Sequence, residues 1–492
     1  MSTTIAARPL SSRVRISPAG DLRVVASALG LLGWIVTVIG SWIPSFWGDE
    51  AASVMSAERP LSTLWPELGR VDAVHGTYYL FLHFWIDLFG ASELSVRFPS
   101  TVAVGFVVAG TVVLGDLLFR RRVAVFAGIV CIVLPRVDYM GAEGRSYAIG
   151  TAMAVWLTVL FVTLVRRRTR TALPWLAYGL VLAASVYVFL YLVLLAVVHG
   201  IVLLASRRSR PLLRPWFVAV VGAVVLASPV IYYATVERHQ ISFLAHRHYL
   251  TFERLAVLQW FGNPWMAAAG WALVIVAVVA LARRRSAALV LTVSWLLVPM
   301  LLLLLGNELL SPMYTIRYLS FCAPAVALLV AVGVSTIGRD WVRLGVLALL
   351  VALVIPTDVF QRSPYAKDDG SDWRQLAEVV AANAHAGDDV VFDNTPTASR
   401  KPRLALRLYP QDFARLTDVT LRTPYFRRAG LWDAVSSVAE VGASLTPTVW
   451  DVELSTSPTH VNLLELQRLG YTVTKELPVH RTVVYELTKA NP

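Results

Sequence analysis

Residues 22–50 read LRVVASALGLLGWIVTVIGSWIPSFWGDE: an apolar run from Leu22 to Trp42, then Phe46-Trp47-Gly48-Asp49-Glu50. A run of about 20 apolar residues is long enough to cross a bilayer as a helix. Two adjacent carboxylates where such a helix runs out are costly unless they meet water, a cation or a substrate. Asp49 and Glu50 are therefore the first functional candidates.

The rest of the chain repeats the apolar theme. Of 492 residues, 57% are hydrophobic and 15% charged, mean hydropathy is +0.62, and apolar stretches recur to residue 358, which excludes a soluble globular chain. The net charge of +12 does not point to nucleic acid, because the arginines fall in short clusters between apolar runs, as in cytoplasmic loops. Cys131 and Cys322 both lie in apolar runs and imply no disulfide framework. Arg8, Arg13 and Arg15 precede a first run that is longer than a signal-peptide core and lacks an Ala-x-Ala exit, so an uncleaved first span is expected.

Topology follows from placing the arginine clusters in the cytoplasm: the N-terminal arm, Arg120–Arg122, Arg166–Arg170, Arg207–Arg214, Arg283–Arg285, and Arg339 with Arg343. Span 1, about 23–44, then delivers Asp49 and Glu50 to the outer face. Of the next two apolar runs only 98–119 is long enough to span. Residues 78–89, with His83 and Asp87, read as an amphipathic helix on the outer surface. Further spans are expected at about 123–139, 145–165, two short ones between Arg170 and Arg207, 215–233, 264–282, 287–305, 316–337 and 343–357. That makes about eleven, with the C-terminus outside. The inner clusters hold 20 arginines and the outer loops nine: Arg59, Arg70, Arg97, Arg136, Arg145, Arg238, Arg247, Arg254 and Arg317. The asymmetry supports the orientation, and an anionic ligand would account for the nine.

Residues 1–358 are thus read as a membrane domain with an external loop at about 45–97, and residues 359–492 as an extracytoplasmic α/β domain. Within the latter, a helix from Asp372 as N-cap, a turn and strand at Gly387–Phe392, a strand Thr448–Leu454, a helix His460–Leu469 and strands Tyr471–Glu476 and Thr482–Leu487 are expected.

Acids and bases gather in four external loops: Asp49, Glu50, Asp72 and His75; Asp138, Glu143, Arg145 and Tyr147; Arg238, His239, His246, Arg247 and His248; and Glu308, Tyr314, Arg317 and Tyr318. A tuned carboxylate can deprotonate a hydroxyl, and arginines can hold a phosphate and stabilise the charge that develops as it leaves.

Trp47-Gly48-Asp49-Glu50, His75-Gly-Thr-Tyr-Tyr-Leu80, Phe89-Gly-Ala-Ser-Glu93-Leu-Ser-Val-Arg97-Phe-Pro99 and Arg317-Tyr318-Leu319 before Pro324 together resemble the GT-C glycosyltransferases, over roughly residues 20–340. The branch resembled is that of the dolichyl-phosphate-mannose protein mannosyltransferases and the lipid A aminoarabinose transferase. The resemblance implies a GT-C fold and an inverting transfer of sugar from a polyprenyl monophosphate to a glycan, lipid or protein acceptor of the cell envelope, at the outer face of the plasma membrane. It implies Asp49 as catalytic acid with Glu50 beside it, and Arg317 at a phosphate-contacting position. Tyr318, Arg145, Arg247, His246 and His248 join Arg317 as donor-phosphate candidates, and His75, Asp138 and Glu143 are acceptor or supporting candidates. A second acid in the loop of Asp138 and Glu143 helps bind a divalent metal in some members, so a metal stays open here. Beside these stand plainer readings: Asp49 as a helix N-cap, Arg317 snorkelling to the interface, His83 and His199 as packing residues, and His246-Arg247-His248 as solvated loop. Among donors, the Arg/Ala/Val-rich composition of a high-GC bacterium favours mannose, then arabinofuranose. A transporter or flippase for an anionic lipid and a noncatalytic scaffold are the rival functions.

Overall fold

The computed structural model describes residues 19–240 and 250–489. Helix α1 is Ala19–Val38; α2 (Gly48–Ala57), α3 (Leu61–Leu68) and α4 (Gly76–Phe89) occupy the first loop. Then come α5 (Glu93–Leu118), α6 (Arg121–Val133), α7 (Pro135–Gly141), α8 (Tyr147–Arg167), α9 (Ala172–Val188), α10 (Leu194–Ala205), α11 (Leu213–Leu226), α12 (Ser228–Val236), α13 (Pro264–Arg283), α14 (Ala287–Leu309), α15 (Ala323–Thr336) and α16 (Asp340–Gln361). A helix stands at each expected span. Among the described residues, seven helices are long and apolar enough to cross a membrane, or nine when each of two bent pairs is one span. The pairs bend by 60° between α6 and α7 and by 56° between α11 and α12, where Pro135 and Pro229 remove a backbone donor. The count of about eleven therefore rests on two further short helices: α9 has 17 residues, under the roughly 20 that a bilayer needs. The chain is an integral membrane protein.

The described residues form two compact units. One holds the chain up to Ile39 and Arg97–Val359; the other holds Gly40–Val96 and the chain from Phe360. In the first, the stretch Ile316–Thr336 is 94% buried, whereas α1 and α16 bury only 22% of their apolar windows. Helix α15 is thus the centre of this unit. The outward faces of α16, with Trp341 and Leu344 exposed, suit hydrocarbon, where every backbone group must be satisfied within the helix. Helices α1 and α5 meet at Gly30 and Gly105, where a Cβ on Gly30 would stand 2.8 Å from the Gly105 carbonyl oxygen; small residues let spanning backbones approach closely.

In the second unit, α4 has 14 residues, about 21 Å, too short to span. It buries Tyr78, Tyr79, Leu82 and Ile86 and exposes Phe81, Phe84, Leu88 and Phe89, so both faces are apolar. The later residues add α17 (Trp373–Asn383), α18 (Leu404–Leu408), α19 (Val438–Val441) and α20 (Val461–Arg468) around seven strands: β1 (Asp389–Phe392), β2 (Thr417–Asp418), β3 (Leu421–Thr423), β4 (Ala434–Val435), β5 (Thr448–Leu454), β6 (Tyr471–Pro478) and β7 (Thr482–Lys489). The main sheet runs β2-β1-β5-β7-β6, with β2, β1 and β5 parallel and β7 and β6 antiparallel. Val391, Val449, Leu466, Val483 and Leu487 form its core. Asp372 occupies the N-cap position of α17, but its side chain does not cap. Its Oδ2 instead accepts from the backbone N–H of Arg481 and Thr482, pinning the end of the β6–β7 turn.

Candidate active site

Helix α2 starts after Trp47, whose extended backbone makes it the N-cap residue, without a side-chain cap bond. Asp49 is therefore the second helical residue and not the cap. All ten residues of α2 except Asp49 are buried, and Glu50 is 0% exposed. The two carboxylates are thus separated by environment: Glu50 is sealed in protein and Asp49 is partly exposed. Asp49 and Glu50 also lie in the first turn, where the helix dipole favours negative charge.

Nearby in the chain, Asp72 sits in the left-handed region with φ 59°, and the Tyr79 hydroxyl donates to its Oδ2 at 2.7 Å. The His75 ring lies 5.9 Å from that of Tyr79. His83 ties α4 to α2 through its Nδ1, 2.6 Å from the Ala57 carbonyl oxygen, which makes it a packing residue. Arg59 and Glu67, both 0% exposed, form an ion pair at 2.9 Å. Burial pushes the Glu67 carboxyl up to about 7, against the pull of Arg59 and the Ser56 hydroxyl; it likewise raises Glu58 to about 7, opposed by the Tyr425 hydroxyl and Arg407.

The other unit brings together two of the four expected loops. Arg317, at the entry to the central helix, pairs with Glu143 at 3.3 Å; its side chain is 17% exposed and that of Glu143 is 0%. The guanidinium lies 6.0 Å from the centre of the Tyr147 ring. Tyr318 neighbours Tyr147 at 6.3 Å and Tyr191 at 5.1 Å between ring centroids. Asp138 and Arg145 are buried beside this loop, and the Arg145 carbonyl oxygen accepts from the Ser100 hydroxyl at 3.2 Å. Arg136 donates to the carbonyl oxygens of Gln259 and Leu258 at 2.9 and 3.1 Å. Gln259 in turn donates to the Ile316 carbonyl oxygen and accepts from the Tyr314 hydroxyl, each at 2.6 Å. A partly exposed guanidinium beside a buried carboxylate and tyrosine rings is a group that can donate charge-assisted hydrogen bonds to an anion.

Among the described residues, no three His, Cys, Asp or Glu side chains come together as a metal-ligand set. Asp138 and Glu143 alone do not supply one.

A profile of the dolichyl-phosphate-mannose-protein mannosyltransferase family matches residues 77–233. The fold matches that of ArnT from Cupriavidus metallidurans, in the apo state at 12% identity and TM-score 0.58, over 96% of this chain and 98% of that one. The chain thus shares the fold of ArnT, and a segment of it is similar to the mannosyltransferase family. ArnT bound to undecaprenyl phosphate gives TM-score 0.57 at 13% identity, over the same shares of both chains. The Archaeoglobus fulgidus oligosaccharyltransferase in complex with Zn and sulfate gives TM-score 0.51 at 10% identity, over 87% of this chain and 67% of that one. No curated protein sequence matches.

The expected residues divide between the two units. Asp49, Glu50, Asp72 and His75 share one unit; Asp138, Glu143, Arg145, Tyr147, Tyr314, Arg317 and Tyr318 share the other. Glu308 is exposed. His246, Arg247 and His248 lie outside the described residues. Two expectations are corrected. Arg317 does not snorkel, since its guanidinium turns to buried Glu143. The outer arginines do not all await an anion either: Arg59 is consumed by Glu67 and two backbone carbonyls, and Arg136 by two others. His199 is a packing residue, stacked on Phe161 at 4.1 Å and bonded to the Tyr178 hydroxyl at 2.8 Å. Sequence reasoning missed the partners Glu67, Gln259 and Tyr191, which no local spacing announces. It also missed a carboxyl group in the sheet: Asp451 and Glu453, adjacent on one face of β5 and both 0% exposed. Burial, then mutual repulsion and that of Asp393, holds Glu453 well above the usual carboxyl range; burial does the same for Asp451.

Proposed function

We propose that this chain is an inverting glycosyltransferase that takes a sugar from a polyprenyl monophosphate and passes it to a hydroxyl of a cell-envelope glycan, lipid or protein. The observation that carries the reading is the contrast within α2, where Asp49 alone of ten residues escapes burial, in a fold shared with a protein whose structure holds undecaprenyl phosphate. Asp49 acts as the base and Glu50 supports it. As Asp49 removes the proton of the acceptor hydroxyl, the oxygen attacks the anomeric carbon. The bond from that carbon to the phosphate oxygen breaks on the opposite face, its electron pair leaving on the lipid phosphate. Arg317 stabilises that charge, with Tyr318, Arg145, Arg247, His246 and His248 contributing contacts; His75, Asp138 and Glu143 serve acceptor or supporting roles. Mannose is the first donor to test and arabinofuranose the second. The arginine clusters support a cytoplasmic N-terminus and residues after 359 outside the plasma membrane, which cysteine accessibility on either side would check.

Two experiments test the reading. Membranes given labelled polyprenyl-phosphate mannose or arabinofuranose should transfer one label to an envelope product. Asp49→Asn should abolish the transfer while donor binding persists; retention of more than a few per cent of wild-type turnover would remove Asp49 from the role of base.

A further inference from the structure

Helix α2 is held at both of its ends by residues that arrive more than 300 positions later in the chain. At its N-terminal end, a Cβ on Gly48 would collide with the Ser399 carbonyl oxygen, so the helix starts directly on that backbone. Gly48 serves close approach there and not a turn, since its φ is not positive. Just before it, the Phe46 carbonyl oxygen accepts from the Ser371 hydroxyl at 2.6 Å, and the Phe46 N–H donates to the Tyr409 hydroxyl at 3.3 Å. At the other end, Arg59 donates to the carbonyl oxygens of Arg428 and Gly430 at 2.8 and 2.6 Å, pairs with Glu67 and lies 5.1 Å from the centre of the Tyr425 ring.

Building on the reading of Asp49 as the base, we propose that Arg59 is a positioning residue: it latches the C-terminal loop 425–430 to the end of α2 and so fixes the carboxylate of Asp49 for reaction. A single guanidinium reaches three acceptors on two segments because its donors form a rigid fork, and ten residues of helix transmit any shift at that end to Asp49 about 15 Å away. Loss of about 1 Å in placement is enough to cost up to a hundredfold in rate.

A buried charge whose partner is removed destabilises a fold for reasons unrelated to positioning, whereas replacing both partners by apolar groups is close to neutral. The test therefore uses the full-length protein in membranes and two variants. Arg59→Met with Glu67→Leu removes the pair and the latch together. Arg59→Lys keeps the ion pair but cannot reach both carbonyls. Transfer from labelled polyprenyl-phosphate mannose or arabinofuranose is measured against donor concentration, beside thermal unfolding of the purified chains. The expected result is unfolding within a few degrees of wild type for at least one variant, with kcat lowered roughly tenfold to a hundredfold and donor KM unchanged. A variant that folds and turns over like wild type overturns the proposal. Asp49→Asn in the same assay separates the failures: if it stays active the base is misassigned, and if it is dead while the Arg59 variants are fully active only the latch is wrong.

Discussion

Each unit of this protein contains an arginine paired with a buried glutamate, and the two pairs are used in opposite ways. Arg59 and Glu67 are both sealed, and two backbone carbonyls take further donors of the guanidinium. Arg317 keeps 17% of its side chain exposed against a sealed Glu143 and faces tyrosine rings. The same two residue types thus make a structural rivet in one place and a partly exposed pair in the other. What distinguishes them is exposure, one guanidinium side chain being sealed and the other partly open, and an excess of outer arginines says nothing of that.

The comparison breaks most readily at the rivet. Glu67→Ala strands a fully buried guanidinium and should cost about 3–5 kcal/mol, read as a large fall in unfolding temperature of the purified protein. Arg317→Ala should instead lower kcat/KM for the polyprenyl-phosphate donor by roughly 10²–10³, about 2.7–4 kcal/mol, with a smaller change in unfolding temperature. If Arg317→Ala proves chiefly a folding defect, the two pairs are alike and the phosphate role falls. Between these in character stands the carboxyl group on β5. Burial raises Glu453 and Asp451, so their contribution is fully present below their ordinary values near 4 and is lost as pH rises through the elevated folded ones. Stability should therefore decline from pH 5 to pH 9. Glu453→Gln should flatten that slope by at least about 1.4 kcal/mol, the worth of one pH unit, in thermal unfolding at pH 5, 7 and 9. The smallest effect belongs to Tyr425→Phe, which removes the hydroxyl bonded to Glu58 at 3.4 Å but keeps the ring beside Arg59. About 1 kcal/mol of stability is expected, with transfer activity kept.

The membrane helices were legible because hydrophobic length is a local property: apolar runs at 264–282 and 287–305 became Pro264–Arg283 and Ala287–Leu309. Strands were legible for the same reason, and the expected Thr448–Leu454 is the observed β5. The two-residue strands β2 and β4 were not, since so short a segment has no period. Nor does a sequence reveal that residues 40–96 group with those after 360. The joining contacts, such as Arg59 to Gly430 and Arg374 to Glu93 at 2.8 Å, connect positions about 280–370 apart and leave no local mark. Gly48 shows the limit within a single residue. A tight turn and a close approach both call for glycine, and only the Ser399 carbonyl tells them apart. The acidic pair was legible as a candidate, but the choice of Asp49 over Glu50 rests on which one the helix buries.

The grouping of 40–96 with the chain after Phe360 has a consequence for biosynthesis. A ribosome adding about 5–20 residues per second finishes α2 and then makes more than 300 residues before Ser399 and Gly430 exist to meet it, a delay of roughly 15–70 s. Throughout that interval the short helix bearing Asp49 has neither of its holdfasts. The nascent chain is meanwhile a set of spans with an unmoored acid, and it is residues 371–430 that later moor the first loop.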